Sequence, residues 1–202
     1  NMSGVVAQNV GRRSGLVKAV AAGGEWTLIK TLTSDGSDAT LSFVNGASDV
    51  VLASTYDEYC FKFIGLHPET DGADLQFNLS IDGGSNYNVT KTSSYFHAEH
   101  NESGTSDLGY YASRDLAQST AFQTLQQTVG SDNDQSASGY MYLYQPSSTT
   151  FVKHFISQIS NYKDEDYNQN AFVAGYGNTT SAVDAIQFKM GADEIQGGSI
   201  SM

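Results

Sequence analysis

The sequence predicts an all-β protein: an antiparallel β-sandwich, jelly-roll-like, over residues 25–202, with an extended basic N-terminal arm over residues 1–24. Three observations carry this. From Glu25 onward the apolar residues recur mostly with period two, the spacing that sends alternate side chains to opposite faces of a strand. Each run is bounded by Gly, Asn, Asp or Ser, the residues that suit turns. Only 16% of residues are charged, against roughly 25% in an average globular domain, while Gly, Ser, Thr, Asn and Tyr are abundant. A chain of 202 residues can bury roughly 70% of its exposable surface as one domain, so its core needs no disulfide.

Residues 1–24 contain Arg12, Arg13 and Lys18 and no acid, a formal +3 that leaves −15 on the remainder of a chain whose net charge is −12. They have no full helical or alternating period and end at Gly23-Gly24, the pattern of an arm on a hinge. Trp26, Leu28 and Leu32 then share one parity, and after the turn Ser34-Asp35-Gly36-Ser37 a second strand begins at Leu41 and Phe43. Residues 58–66 place Tyr59, Phe61 and Phe63 on one face and Cys60, Lys62 and Ile64 on the other. Leu75, Phe77, Leu79 and Ile81 give the cleanest alternation, with Gln76, Asn78 and Ser80 expected to face outward. Further strands are expected at residues 94–100, 139–144, 150–159, 171–175, 182–190 and 199–202, about ten in all. Residues 115–129 differ: Leu116, Phe122, Leu125 and Val129 partly follow a helical stripe that Ser119, Thr120 and Thr124 weaken, so one short helix or a long loop crossing is expected. The predicted core comprises Trp26, Leu28, Leu41, Phe43, Phe61 and Phe63 from the first half, and Leu75, Phe77, Leu79, Ile186 and Phe188 after it. The last residues stop inside an alternation and the first is not Met, which is expected of a piece of a longer polypeptide.

Composition removes several function classes. An acidic surface repels the phosphate backbone that dominates nucleic-acid affinity. The apolar stretch at residues 15–24 carries Lys18 and falls far short of the ~20 residues of a span, so no membrane insertion is expected. The single cysteine, Cys60, can form neither an intrachain disulfide nor a four-cysteine zinc site, and its apolar strand makes it a buried structural thiol. No glycine-rich phosphate cradle and no Gly-x-Ser-x-Gly elbow occur.

What remains is sparse. His97 and His100 with Glu99 are the nearest thing to a metal cluster, yet residues three apart on a strand point to opposite sides, and the histidines are expected to be solvated. His67 and His154 read as structural. Asp132-Asn133-Asp134 has the acids of a calcium loop without its glycine or distal glutamate. Glu58, Asp74, Glu99 and Asp184 are carboxylates of the kind glycoside hydrolysis pairs, but nothing in the sequence pairs them. Sequons at Asn1, Asn78, Asn88, Asn101 and Asn178 are expected by chance at this Ser/Thr content. No catalytic, cofactor-binding or metal residue is assigned, and the chain is expected not to be an enzyme. Twelve tyrosines, among them Tyr140, Tyr142 and Tyr144, offer stacking platforms for sugars or a protein interface. The partner-binding candidates are Arg12, Arg13, Val17 and Lys18 in the arm and Tyr110 and Tyr111 on the body. A basic arm on an acidic body is complementary to a second copy of that body.

The segments Thr27-Leu-Ile-Lys-Thr-Leu32, Leu41-Ser-Phe-Val-Asn-Gly46 with Ser48-Asp-Val-Val-Leu52, and Pro146-Ser-Ser-Thr-Thr-Phe-Val-Lys-His-Phe155 resemble a domain recurrent in virion proteins of marine tailed bacteriophages. Phe172-Val-Ala-Gly-Tyr176, Asp184-Ala-Ile-Gln-Phe-Lys-Met190 and Gly198-Ser-Ile-Ser201 are similar to its C-terminal part. The resemblance covers nearly everything after Glu25 and consists of strands and turns. It implies a structural protein on the virion surface, decorating the capsid or forming part of a head or tail fibre, with copies of itself and other virion proteins as partners. The alternative is a host-glycan-binding adhesin module of a tail fibre.

Overall fold

The computed structural model describes residues 26–191 and 193–202. The expected arm, with Arg12, Arg13, Val17 and Lys18, lies outside the described residues. The remainder is all β, as the alternation predicts. Its strands are β1 (Thr31–Thr33), β2 (Leu41–Val44), β3 (Glu58–Pro68), β4 (Ala73–Ser80), β5 (Lys91–Asn101) and β6 (Ser106–Tyr110). They continue with β7 (Gln123–Val129), β8 (Ala137–Tyr144), β9 (Lys153–Tyr162), β10 (Tyr167–Gly177), β11 (Ala185–Met190) and β12 (Ile195–Ser201). Every pairing between them is antiparallel.

Two sheets face each other. The larger has eight strands in the order β1-β12-β3-β8-β9-β10-β5-β6, and the smaller has four in the order β2-β11-β4-β7. The chain crosses between sheets at most connections and stays within the large sheet only in the hairpins β5–β6, β8–β9 and β9–β10. Those strands carry the large sheet beyond the width of the small one. Alternation explains the core: Tyr59, Phe61 and Phe63 of β3 point inward to meet Phe43, Phe77 and Phe188 of the small sheet. Phe188 sits at the centre, with ring centroids 5.3 Å from Phe61 and 5.2 Å from Phe63. Burial of such rings is the main favourable contribution, on the order of 2–3 kcal/mol for each side chain.

At the β12–β3 seam the register shifts around Gly197 and Gly198. Gly198 has φ +95°, and a Cβ there would lie 2.4 Å from the Gly65 carbonyl oxygen, so no side chain fits this bulge.

Four expectations need correction. Trp26 and Leu28 are not core residues: they are 61% and 68% exposed. The chain there precedes β1, and the Trp26 ring lies against Tyr142, 6.0 Å between centroids. Residues 115–129 form no helix: the expected loop crossing holds over residues 115–122, bridged to β5 through Lys91 and Ser119, but a strand that was not expected, β7, follows it. Leu125 and Val129 reach the core from that strand, helped by a left-handed residue, Thr128, at φ 47°. Asn78 and Ser80 do not face outward. Both are fully buried, and Asn78 donates to the carbonyls of Tyr87 and Thr120, which leaves its sequon inaccessible. Ile81 lies past the end of β4 and is exposed.

Candidate functional site

The structure places the residues behind two chemical possibilities raised by the sequence. His97 and His100 diverge as strand parity requires, but His97 is not solvated: it is fully buried beneath β5, its ring centroid 4.3 Å from that of Tyr111. Its Nε2 lies 3.9 Å from Glu99 and 3.8 Å from Asp107. His100 is exposed on the opposite face. Among the described residues no three His, Cys, Asp or Glu side chains are grouped to hold a metal ion.

The four candidate carboxylates are dispersed. Asp74 on β4 pairs with the Arg114 guanidinium at 2.8 Å and accepts from the Thr128 amide. Glu99 on β5 accepts from Gln169 Nε2 at 2.8 Å, Asp184 accepts from the Gly83 amide at 3.0 Å, and Glu58 starts β3. Each of the first three holds a neighbouring element in place.

Beneath the extended part of the large sheet, apolar packing gives way to amides. Gln126 of β7 donates to Asn161 of β9 and to Gln169 of β10, and Asn161 donates to the Gln127 carbonyl. These side chains are fully or almost fully buried. These bonds favour one register, because a slip would break them, although Gln126 Oε1 is itself buried without a partner. The extension is therefore a hydrogen-bonded platform.

The outer face of that platform is the candidate site. Strand pairing lines up Tyr110, Phe96, Phe172, Gln158, Tyr140 and Lys62 across six strands. Phe96 and Phe172 stack at 4.9 Å with planes 7° apart. Ile156 and Tyr142 occupy the next row, and Tyr142 continues to Trp26. Leu108, next to this patch on β6, is 73% exposed and Tyr110 60%. Nothing in the described residues covers this apolar surface, and patches of this kind mark interaction sites.

Tyr110 is thus presented, its hydroxyl donating to Asp115. Tyr111 is not: half-buried, it packs on the core and on His97, so it belongs to the scaffold. Cys60 is buried on the outer side of β3 opposite Tyr142, and burial pushes its thiol up from the ordinary range. A neutral, covered thiol is a poor nucleophile. Cys60→Ser is therefore expected to leave assembly and binding intact with a stability loss of about 1 kcal/mol, read from denaturant midpoints. Inactivation of the native protein by a thiol-specific reagent would contradict it.

On the other side of the aromatic row the sheet face turns polar and concave. A groove of about 490 Å³ opens between the turn after β5 and the turn after β9, reached by Ser138, Ser160 and Asn168. A second depression of about 280 Å³ shares those three residues and extends to Tyr140, Gln158 and Asn170. Apart from Tyr140, these side chains carry no signal in the linear sequence. They come from three strands and meet only through pairing, Asn170 opposite Ser160 and Ser160 opposite Ser138. No family model, curated protein or solved structure matches the chain.

Proposed function

We propose that the chain is a non-enzymatic bacteriophage virion structural protein displayed on the particle surface, a capsid-decoration or head/tail-fibre component that acts by assembly and attachment. The observation that carries this reading is the uncovered aromatic face of the large sheet, from Tyr110 and Phe96 through Phe172 and on to Tyr142 and Trp26. A broad sheet surface rich in Tyr, Trp and Phe is what protein interfaces use at their centres. The resemblance supports it too. Its segments fall on β2, β10, β11 and β12 and on the residues leading into β1 and β9, the scaffold that holds this face.

Topology is consistent with the same reading. The sets β1-β12-β3-β8 and β2-β11-β4-β7 have the interleaved order of a jelly roll, with the hairpins β5–β6 and β9–β10 added to one sheet. Jelly rolls serve in viral capsids and in lectins, an analogy of fold only.

Attachment needs a contact beyond the face itself, and residues 1–24, at +3 against a body of −15, supply the complementary charge. Exposed ion pairs contribute only ~0.2–1 kcal/mol each, so Val5, Val6, Leu16, Val17 and Val20 must add apolar burial. Deleting residues 1–24 is expected to leave a folded sandwich with an unchanged melting curve that fails to assemble or to enter particles. Reversing the charges at Arg12 and Arg13 is expected to weaken incorporation without abolishing it. Equal light scattering and equal particle incorporation for the full and shortened chains would refute the role of this segment.

A further inference from the structure

The polar groove beside the aromatic row meets that row at Tyr140 and Gln158, and its chemistry identifies a ligand class. Its floor is a row of short neutral groups, Asn170, Ser160 and Ser138, on three adjacent strands spaced about 4.8 Å apart. One side is walled by Tyr140, whose hydroxyl donates to Gln158 Oε1 at 2.8 Å. At the other end stands Tyr162, whose hydroxyl donates to Asp166 at 3.2 Å. Asn168 donates to Ser160 Oγ at 3.1 Å, which orients its amide along the floor. Amides and hydroxyls that both donate and accept, flanked by aromatic rings, match a pyranose, which offers hydroxyls at its rim and C–H groups on its faces.

Charge narrows the class further. The rim carries Glu102 and Asp166, and no Lys or Arg lines either depression. Among the described residues the one basic group at the lining is the imidazole of His100, so an anionic sugar would meet like charge with no Lys or Arg to neutralise it. The direction is also set: Tyr140 and Gln158 lie on one side of the floor row along β8 and β9 and Tyr162 on the other, so the two depressions adjoin along the strands. From this geometry we infer that the groove binds a neutral oligosaccharide lying along β8, β9 and β10 from Tyr140 toward Tyr162, its hydroxyls on Asn168, Asn170 and Ser160 and one sugar face against Tyr140.

This inference goes beyond the assembly reading; the groove shares Tyr140 and Gln158 with the aromatic row, but its test acts on Ser160 and Asn168, which lie outside that row, so the two fail separately. The test is binding of the full chain to an array of neutral glucose-, galactose- and N-acetylhexosamine-based oligosaccharides, with sulfated and sialylated versions of the same chains alongside. Retention of one or more neutral chains is expected, with their anionic versions at least about tenfold weaker. Ser160→Ile fills the floor with a β-branched residue suited to an exposed strand position and is expected to lose at least about tenfold in affinity at an unchanged melting temperature. Should that variant misfold, Asn168→Leu removes the amide at an exposed position and is expected to lose as much. Ile81→Thr, exposed just past β4 and outside both the groove and the aromatic face, should bind as the unaltered chain does. Retention of no neutral chain, equal binding of anionic chains, or undiminished binding by a folded groove variant would each overturn the inference. Particle incorporation measured on the same variants reads the assembly role independently.

Discussion

Phe188→Ala should cost the sandwich about 3–5 kcal/mol, the range for removing a large aromatic side chain from a packed core. Phe188 is fully buried on β11 and sits among Phe61 and Phe63 of the large sheet and Phe43 and Phe77 of its own. Truncation removes ring contacts on both sheets at once and leaves a cavity that backbone hydrogen bonding on both sides of β11 prevents from collapsing. For a domain of this size the thermal midpoint should fall by roughly 10 °C. Urea titration with an unchanged slope and a lowered midpoint is the expected record. A loss below about 1 kcal/mol would mean that the two sheets do not pack through this cluster.

Stability should also rise as pH is raised from 7 toward 9, because of Lys91. This lysine is fully buried at the start of β5, and its ammonium donates to Asn78 Oδ1 and to the Val89 carbonyl. Among the described residues no carboxylate lies within ion-pair distance of it. Burial pushes its pKa down from 10.5 to about 7. The folded state therefore releases this proton near pH 7, whereas the unfolded chain holds it to about 10.5. Below pH 7 both states are protonated and folding bears the whole cost of burying the charge, on the order of 5 kcal/mol. Between 7 and 10.5 the unfolded state binds the extra proton, so stability climbs with pH. About 2 kcal/mol of that gain is expected between pH 7 and 9, and Lys91→Met should flatten the slope. Asn78 Oδ1 keeps the Leu79 amide as a donor in that variant. A flat profile in the unaltered protein would mean that the ammonium stays charged inside.

How far the sequence reveals this molecule depends on the kind of contact involved. Where burial is apolar on one face and open on the other, as in Tyr59, Phe61 and Phe63, period two identifies the strand and its inward side. β7 breaks that rule. Its residues Gln123, Thr124, Leu125, Gln126 and Gln127 are all buried, yet most are polar, because their partners are polar too: Gln126 bonds the amides of β9 and β10, Gln123 bonds Ser93 and the Arg114 carbonyl, and Gln127 accepts from Arg114. No hydropathy period records such a strand. Trp26 and Leu28 err the other way: they share the parity of Leu32, but parity means nothing where the chain is not yet paired. β6 escaped notice because it is short and its Leu108 and Tyr110 are exposed. The groove was illegible for a further reason. Ser138, Ser160 and Asn170 become neighbours only through the order β8-β9-β10 and its register. Serine and asparagine in a chain rich in both give no warning of that.

The most direct measurement is cryo-electron microscopy of purified particles from the lysate in which this chain is produced, with its copy number counted in the same particles by quantitative mass spectrometry. The account predicts the chain at a fixed stoichiometry, with density for the eight-stranded and four-stranded sheets on the outside of the particle and the Phe96–Phe172 face against a neighbouring subunit. Recovery of the chain free in the lysate and absent from intact particles would contradict it.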